Sequence, residues 1–223
     1  MTAETLIGRD DFRRLANLAL KSSEADHTFV SLHDVSSGTT RFANNQIVQN
    51  LNQHRVTLSV TVAFGRRHGT ATATDFGEES IRDMVKRAAA AARVSPEDPE
   101  YVPPLGPQQY ASLPTTNEAT VQAGPERRIA LAGDAIAFCR REGVTAAGIV
   151  ASGVAAVGVA ANTGLFAYEQ RTDAKFSLTA IAGEASGWSA NVHRSIERLD
   201  VTNRTEIAIR KAQQGKSPKE LPP

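Results

Sequence analysis

The sequence is poor in the residues that carry chemistry. Its 223 residues include one cysteine, Cys139, and one tryptophan, Trp188, and aromatic residues make up only 5%. A lone cysteine excludes an intrachain disulfide and a cysteine-built zinc site. An excess of one charge is missing too: 25 Lys+Arg stand against 24 Asp+Glu, a net charge of +1. Dedicated nucleic-acid binders show a basic stripe and a pI above about 9, so the balance argues against a nucleic-acid partner. There is no His-Glu dipeptide, no G-x-S-x-G nucleophile elbow and no D-x-D-x-D calcium loop. Gly153 to Gly158 supplies the G-x-x-x-x-G half of a phosphate loop, but Val159-Ala160 stands where Lys-Ser/Thr is required. The opening MTAETLIGRDDFRR has early acids and no apolar core followed by a cleavage site. It does not read as a secretory signal, so a cytoplasmic location is the expectation.

The residues that could do chemistry are scattered. No two of His27, His33, His54, His68 and His193 sit at the helical spacing of a metal-ligand pair. His33-Asp34 and Glu24/His27 are the only local acid neighbours, and they read as partly solvated strand ends. Cys139 falls on the apolar stripe of a helix, where a thiol acts as a small hydrophobe. The basic pairs Arg13-Arg14, Arg66-Arg67, Arg127-Arg128 and Arg140-Arg141 read as solvated surface. No catalytic or metal-binding residue is assigned, and no cofactor is expected in this chain.

One uncharged run, Gly143 to Tyr168, is long enough to span a bilayer. It is built mainly of Ala, Gly and Val, its glycines recur every fifth residue, and Asn162-Thr163-Gly164 breaks it as a turn. Two buried strands fit this pattern better than a membrane helix.

Proline sets the organisation. Seven of the ten prolines lie between Pro96 and Pro125, a density that forbids long helices and central strands. The chain therefore divides into an N-terminal α+β unit at 1–94, a Pro-rich extended connector at 95–124, a second α+β unit at 125–217, and a tail at 218–223. The first unit reads as a helix over 10–22 with Asp10 as cap, then strands at Thr28–Val35, Thr39–Ala43, Ile47–Leu51, Val56–Phe64 and Gly69–Thr74. A helix follows, opened by an Asp75/Glu78 capping box and carrying Ile81, Met84, Val85, Ala88 and Ala92 on one face. The second unit begins with Pro125 in a first helical turn, an Ile129/Ala132/Ile136/Cys139 stripe and Gly143 as terminator. Strands at about 145–152, 154–161, 165–168, 174–182 and 187–193 follow, and then a helix capped by Asp200.

The halves superimpose at an offset of 118: Ala43/Ala161, Asn44/Asn162, Ser59/Ser177, Thr61/Thr179, Gly65/Gly183 and Gly69/Gly187 are identical. The fold class is α+β, antiparallel sheets flanked by helices, with internal duplication of a helix–sheet–helix unit. Two unrelated segments sharing a β-hairpin rhythm are the alternative. Strands such as Val56–Phe64 alternate apolar with Thr57, Ser59 and Thr61, a pattern that suits strand addition by an extended peptide and equally any half-exposed sheet.

Several segments, in order, resemble one family. Thr40-Arg41-Phe42-Ala43-Asn44-Asn45-Gln46-Ile47, Gly69 onward into a capped helix, Ser95-Pro96-Glu97-Asp98-Pro99, Ala161-Asn162-Thr163-Gly164, Thr172, Ser186-Gly187-Trp188 and Ser217-Pro218-Lys219-Glu220-Leu221-Pro222-Pro223 are similar to the N-terminal region of TldD/PmbA proteins. These are known as modulators of DNA gyrase and are related to zinc metallopeptidases. The resemblance implies an α+β region that precedes a C-terminal domain, where catalytic members carry a His-Glu-x-x-x-His zinc motif that their pairing partners lack. It implies that this chain forms part of a cavity for unfolded or extended peptide and a scaffold for homo- or heterodimers. Zinc, with proteolysis or peptide maturation, would belong to the domain beyond Pro223. The alternative is a non-catalytic scaffold or partner subunit that pairs with a catalytic member. Direct binding of DNA or gyrase rests on the family's name alone and is the weakest reading. Arg41, Asn44 and Asn45 are the candidate peptide-contacting residues. Arg41 suits a peptide carboxylate, whereas Asn44, Asn45 and Asn162 equally suit hairpin turns that need φ > 0.

Overall fold

The structure is a computed structural model and describes residues 6–216; the 218–223 tail lies outside the described residues. Among the described residues a helix, three strands, three helices, three strands and a final helix follow one another. Helix α1 (Arg9–Lys21) buries Phe12, Leu15, Ala16 and Ala19 at helical spacing. Helix α2 (Glu78–Val94) buries the five expected residues, Ile81, Met84, Val85, Ala88 and Ala92. A single-turn helix, α3 (Glu118–Val121), interrupts the connector, and α4 (Pro125–Arg141) starts on its proline. Helix α5 (Val201–Gln214) follows a short 3-10 turn at Ile196–Arg198.

The strands are β1 (His27–Ala43), β2 (Gln46–Phe64), β3 (Arg67–Ala73), β4 (Thr145–Ala161), β5 (Phe166–Ala182) and β6 (Ala185–His193). They form one six-stranded sheet in the order β3-β2-β1-β4-β5-β6, antiparallel within the β2–β3 and β5–β6 pairs. Fewer, longer strands appear than the sequence pattern suggests. Polar or glycine stretches such as Ser36-Ser37-Gly38 and Asn52–Arg55 break the apolar alternation, yet the backbone continues as β1 and β2 through them. The uncharged run becomes β4 and the start of β5. No helix among the described residues is long and apolar enough to cross a membrane.

Two compact units are present. Unit 1 comprises residues up to Val35, His54–Pro114 and Ala155–Gln170; unit 2 comprises Ser36–Gln53, Thr115–Val154 and Arg171 onward. Each contains a hairpin tip from the other half of the sequence. The core of unit 1 joins Phe12, Leu58, Val60, Met84 and Ala88 to Ala160, with Phe166 and Tyr168 packed against it. The core of unit 2 joins Ile136, Cys139, Phe176, Leu178 and Ala208 to Phe42.

The duplication is visible in the geometry. Shifting β1 by 118 residues gives the bounds of β4. Val62 pairs with Gly69 in the β2–β3 ladder, and Ala180 pairs with Gly187 in the β5–β6 ladder, the same register at the same offset. A Cβ on Gly69 would overlap backbone atoms of Ala88 and Ala92 in α2, and one on Gly187 would overlap those of Ala208 and Ala212 in α5. The glycine shared by the two halves therefore lets a helix backbone lie directly on an edge strand in each unit.

Several local expectations are corrected. The caps of α1 and α2 are Gly8 and Gly77, without side-chain hydrogen bonds. Asp75 instead accepts from the Gly77 N–H at 3.0 Å, and Glu78 turns forward to Arg82, so no capping box closes. Asp200 stands before α5 in the left-handed region and makes no capping bond; it accepts from Asn203. On α4 the buried stripe is Arg128, Leu131, Ala132, Ala135, Ile136 and Cys139, while Ile129 faces out. Asn44 and Asn45 do take positive φ, 50° and 59°, but in the β4–β5 turn that conformation belongs to Gly164.

Candidate functional site

Two charged residues, Asp34 on β1 and Arg128 on α4, are buried. In unit 1, Asp34 is completely buried. Its position on β1 is in phase with the buried Val30 and Leu32, so the strand's period of two turns the carboxylate inward. One carboxylate oxygen lies 2.6 Å from His54 Nε2 on β2, and the other accepts from the Ile7 N–H at 2.7 Å. Tyr168 completes the group: its hydroxyl donates to the Ile7 carbonyl at 2.7 Å and accepts from Gln170 Nε2 at 2.8 Å. Burial pushes the Tyr168 hydroxyl above its ordinary pKa, the Gln170 hydrogen bond opposes this, and the nearby Asp34 carboxylate adds to it. A buried carboxylate that orients an imidazole is a familiar acid–base arrangement. Here it also ties the segment before α1 to β1. The sequence reading placed His33-Asp34 at a solvated strand end. His33 is indeed exposed, but Asp34 is buried against a histidine twenty residues away.

In unit 2, Arg128 takes an inward position on α4 and is 2% exposed. Its guanidinium donates to Asn52 Oδ1 on β2, and to Ser152 Oγ on β4 at 3.3 Å. A Cβ on Gly38 would overlap the guanidinium, so glycine at that point of β1 makes the space for it. The Arg127-Arg128 pair thus divides: Arg127 faces out to pair with Glu197, and Arg128 turns into the core. The signal was present in the sequence, since Arg128 lies three, four and seven residues before Leu131, Ala132 and Ala135.

Of the residues proposed from sequence, Arg41 is an exposed side chain near the end of β1. Asn44 and Asn45 form the β1–β2 turn. Asn45 docks that turn within unit 2. Its N–H donates to the Ala146 carbonyl, its Oδ1 accepts from the Ala146 N–H at 2.7 Å, and its amide donates to the Val144 carbonyl at 3.0 Å. Within unit 1, Asn162 makes the equivalent three bonds with Thr28 and Asp26, residues offset by 118 from Ala146 and Val144. From Gln46 to Gln53 every residue of β2 is exposed, including Ile47, Val48 and Leu51.

Comparison with known families decides the identity. Residues 30–92 match the model described as PmbA/TldA metallopeptidase domain 1, and residues 120–215 match the PmbA/TldA metallopeptidase central domain. The chain belongs to the TldD/PmbA family. Solved structures share the fold of this TldD/PmbA chain. TldE from Thermococcus kodakarensis aligns with a TM-score of 0.80 at 17% identity, covering 91% of this chain and 47% of that one. A proposed modulator of DNA gyrase from Bacteroides thetaiotaomicron VPI-5482 gives 0.82 at 14%, covering 96% and 52%. Another from Thermotoga maritima MSB8 gives 0.79 at 16%, covering 95% and 50%. The chain thus spans about half the length of the structures it matches. No curated protein matches it.

The family description names metallopeptidases, and the residues here do not fit a catalytic metal. Among the described residues no three of His, Cys, Asp and Glu come together. Asp34 and His54 supply two groups, but both Asp34 oxygens already hold hydrogen bonds inside the fold. No step through a metal is derived for this chain.

Proposed function

We propose that this chain is the N-terminal, substrate-enclosing and assembly half of a TldD/PmbA-type peptidase system of the cytoplasm. In this role it holds unfolded or extended peptide and builds the homo- or heterodimer, while peptide-bond cleavage or maturation belongs to a C-terminal zinc domain. One observation carries the reading: the family's domain 1 and central-domain models match in order, on a chain spanning about half of its structural relatives. The exposed stretch Gln46–Gln53 supports it, because extended backbone flanked by uncharged amide side chains suits contact with a peptide in a sequence-tolerant way. Arg41, Asn44 and Asn45 border this stretch and are assigned to its peptide-contacting rim.

Light scattering on the eluting protein, combined with anisotropy of a fluorescent unfolded peptide, tests this. A dimer, or a complex with a co-expressed family member, together with saturable peptide binding, is the expected result. A strict monomer that captures neither peptide nor partner would overturn it.

A further inference from the structure

Arg128 is a buried cation that, among the described residues, has no carboxylate in hydrogen-bond contact. The residue is 2% exposed, and among the described residues it forms no ion pair with a carboxylate. Its acceptors are all neutral: Asn52 Oδ1, Ser152 Oγ at 3.3 Å and the Ala123 carbonyl at 3.5 Å. Its Nε–H is buried without an acceptor. Guanidinium presents five donors in a planar fork, and a carboxylate is the acceptor that fits two of them at once. Burying such a group without an anion is costly, and charge-assisted hydrogen bonds recover the most. Burial holds the Arg128 pKa below its ordinary value, opposed by the Glu126 charge nearby.

The surroundings are shaped to this group. Gly38 gives up its side chain so that the guanidinium can lie over β1. Asn52, the side-chain acceptor from β2, is itself exposed, so the partner of the fork on that side reaches the surface. Asn52 Oδ1 offers a single neutral oxygen where a carboxylate would offer two charged ones.

From these observations we infer that Arg128, with Asn52 and Ser152, forms a carboxylate-binding site in unit 2. Its ligand is either a small free carboxylic acid or the C-terminal carboxylate of an extended peptide. The second source deepens the peptide-handling reading and rests on it.

The experiment compares an unstructured peptide bearing a free C-terminus with its C-terminal amide, and sodium acetate with sodium chloride at equal ionic strength, on the full chain. The readouts are anisotropy and thermal protection. The free acid is expected to bind roughly tenfold more tightly than the amide, as a charge-assisted pair implies. Arg128→Met should abolish that preference; its apolar side chain suits the buried position, so it is expected to fold. Asn52→Asp supplies a carboxylate from within the chain and should raise Tm while also removing the preference. Acetate protection that depends on Arg128, without any peptide binding, supports the site and counts against the peptide-handling reading. Equal binding of acid and amide together with no acetate effect overturns the site but leaves peptide handling in place. A preference that persists in Arg128→Met, or an Asn52→Asp variant that is less stable and retains the preference, also overturns it.

Discussion

Single side chains show where the two compact units are under most constraint. A methyl group on Gly38 would require the buried Arg128 guanidinium and the Asn52 amide to shift. Gly38→Ala should destabilise by about 1–3 kcal/mol, the usual cost of an overpacked core. Urea melts of the single and double variants check this, because Arg128→Met should absorb much of the cost and make the pair non-additive. Cys139 gives a second residue-scale test. Its thiol is fully buried, and desolvation raises its pKa from 9.0 to about 11. Between those values the unfolded chain loses the thiol proton while the folded chain keeps it, so stability falls as pH rises from about 9 to about 11. Cys139→Ala should show less of this fall in denaturant midpoints, and the native thiol should stay inert to Ellman's reagent at pH 8 until the protein is unfolded.

At the scale of elements, the two halves repeat one packing solution. Gly69 on β3 and Gly187 on β6 lie against the backbones of α2 and α5, and no side-chain movement can relieve a clash with main chain. Gly69→Ala and Gly187→Ala should therefore be similarly harmful, each by about 1–3 kcal/mol or more. Chemical denaturation of the two variants side by side checks this; a neutral result at either position would mean that helix and strand are not in direct backbone contact there. The sequence offset of 118 already pointed to these two positions as a pair. It could not show why, because the reason is a neighbouring helix about twenty residues further along the chain.

For the whole molecule, the compact units follow the cores rather than the chain order. Unit 1 includes residues 155–170, and unit 2 includes residues 36–53. Phe12 packs against Gly158 and stacks on Phe166, and Phe42 packs against Gly148, so each core requires residues from both sides of the connector. Residues 1–94 or 125–217 expressed alone should lack cooperative unfolding, whereas co-expression of the two should restore one folded complex. Circular dichroism melts and co-purification give the readout, and two independently cooperative fragments would contradict it.

The sequence alone determined much of this protein. The hydrophobic periods placed α1, α2, the amphipathic stretches and the hairpins, because helix and strand periods depend on local geometry that each segment carries with it. The internal offset was legible in the sequence as well, and ordered segments pointed to the TldD/PmbA family that the domain models establish. Tertiary structure alone decided that broken apolar patterns would merge into long strands, since ladder bonds to neighbouring strands carry the backbone past a polar residue or a glycine. It also decided the fates of Asp34 and Arg128. The helical spacing hinted that Arg128 points inward, but only strands distant in sequence bring His54 to Asp34 and Asn52, Ser152 and the bare backbone of Gly38 to Arg128. Burial and long-range hydrogen bonding belong to the assembled fold, and they hold both charged residues in place.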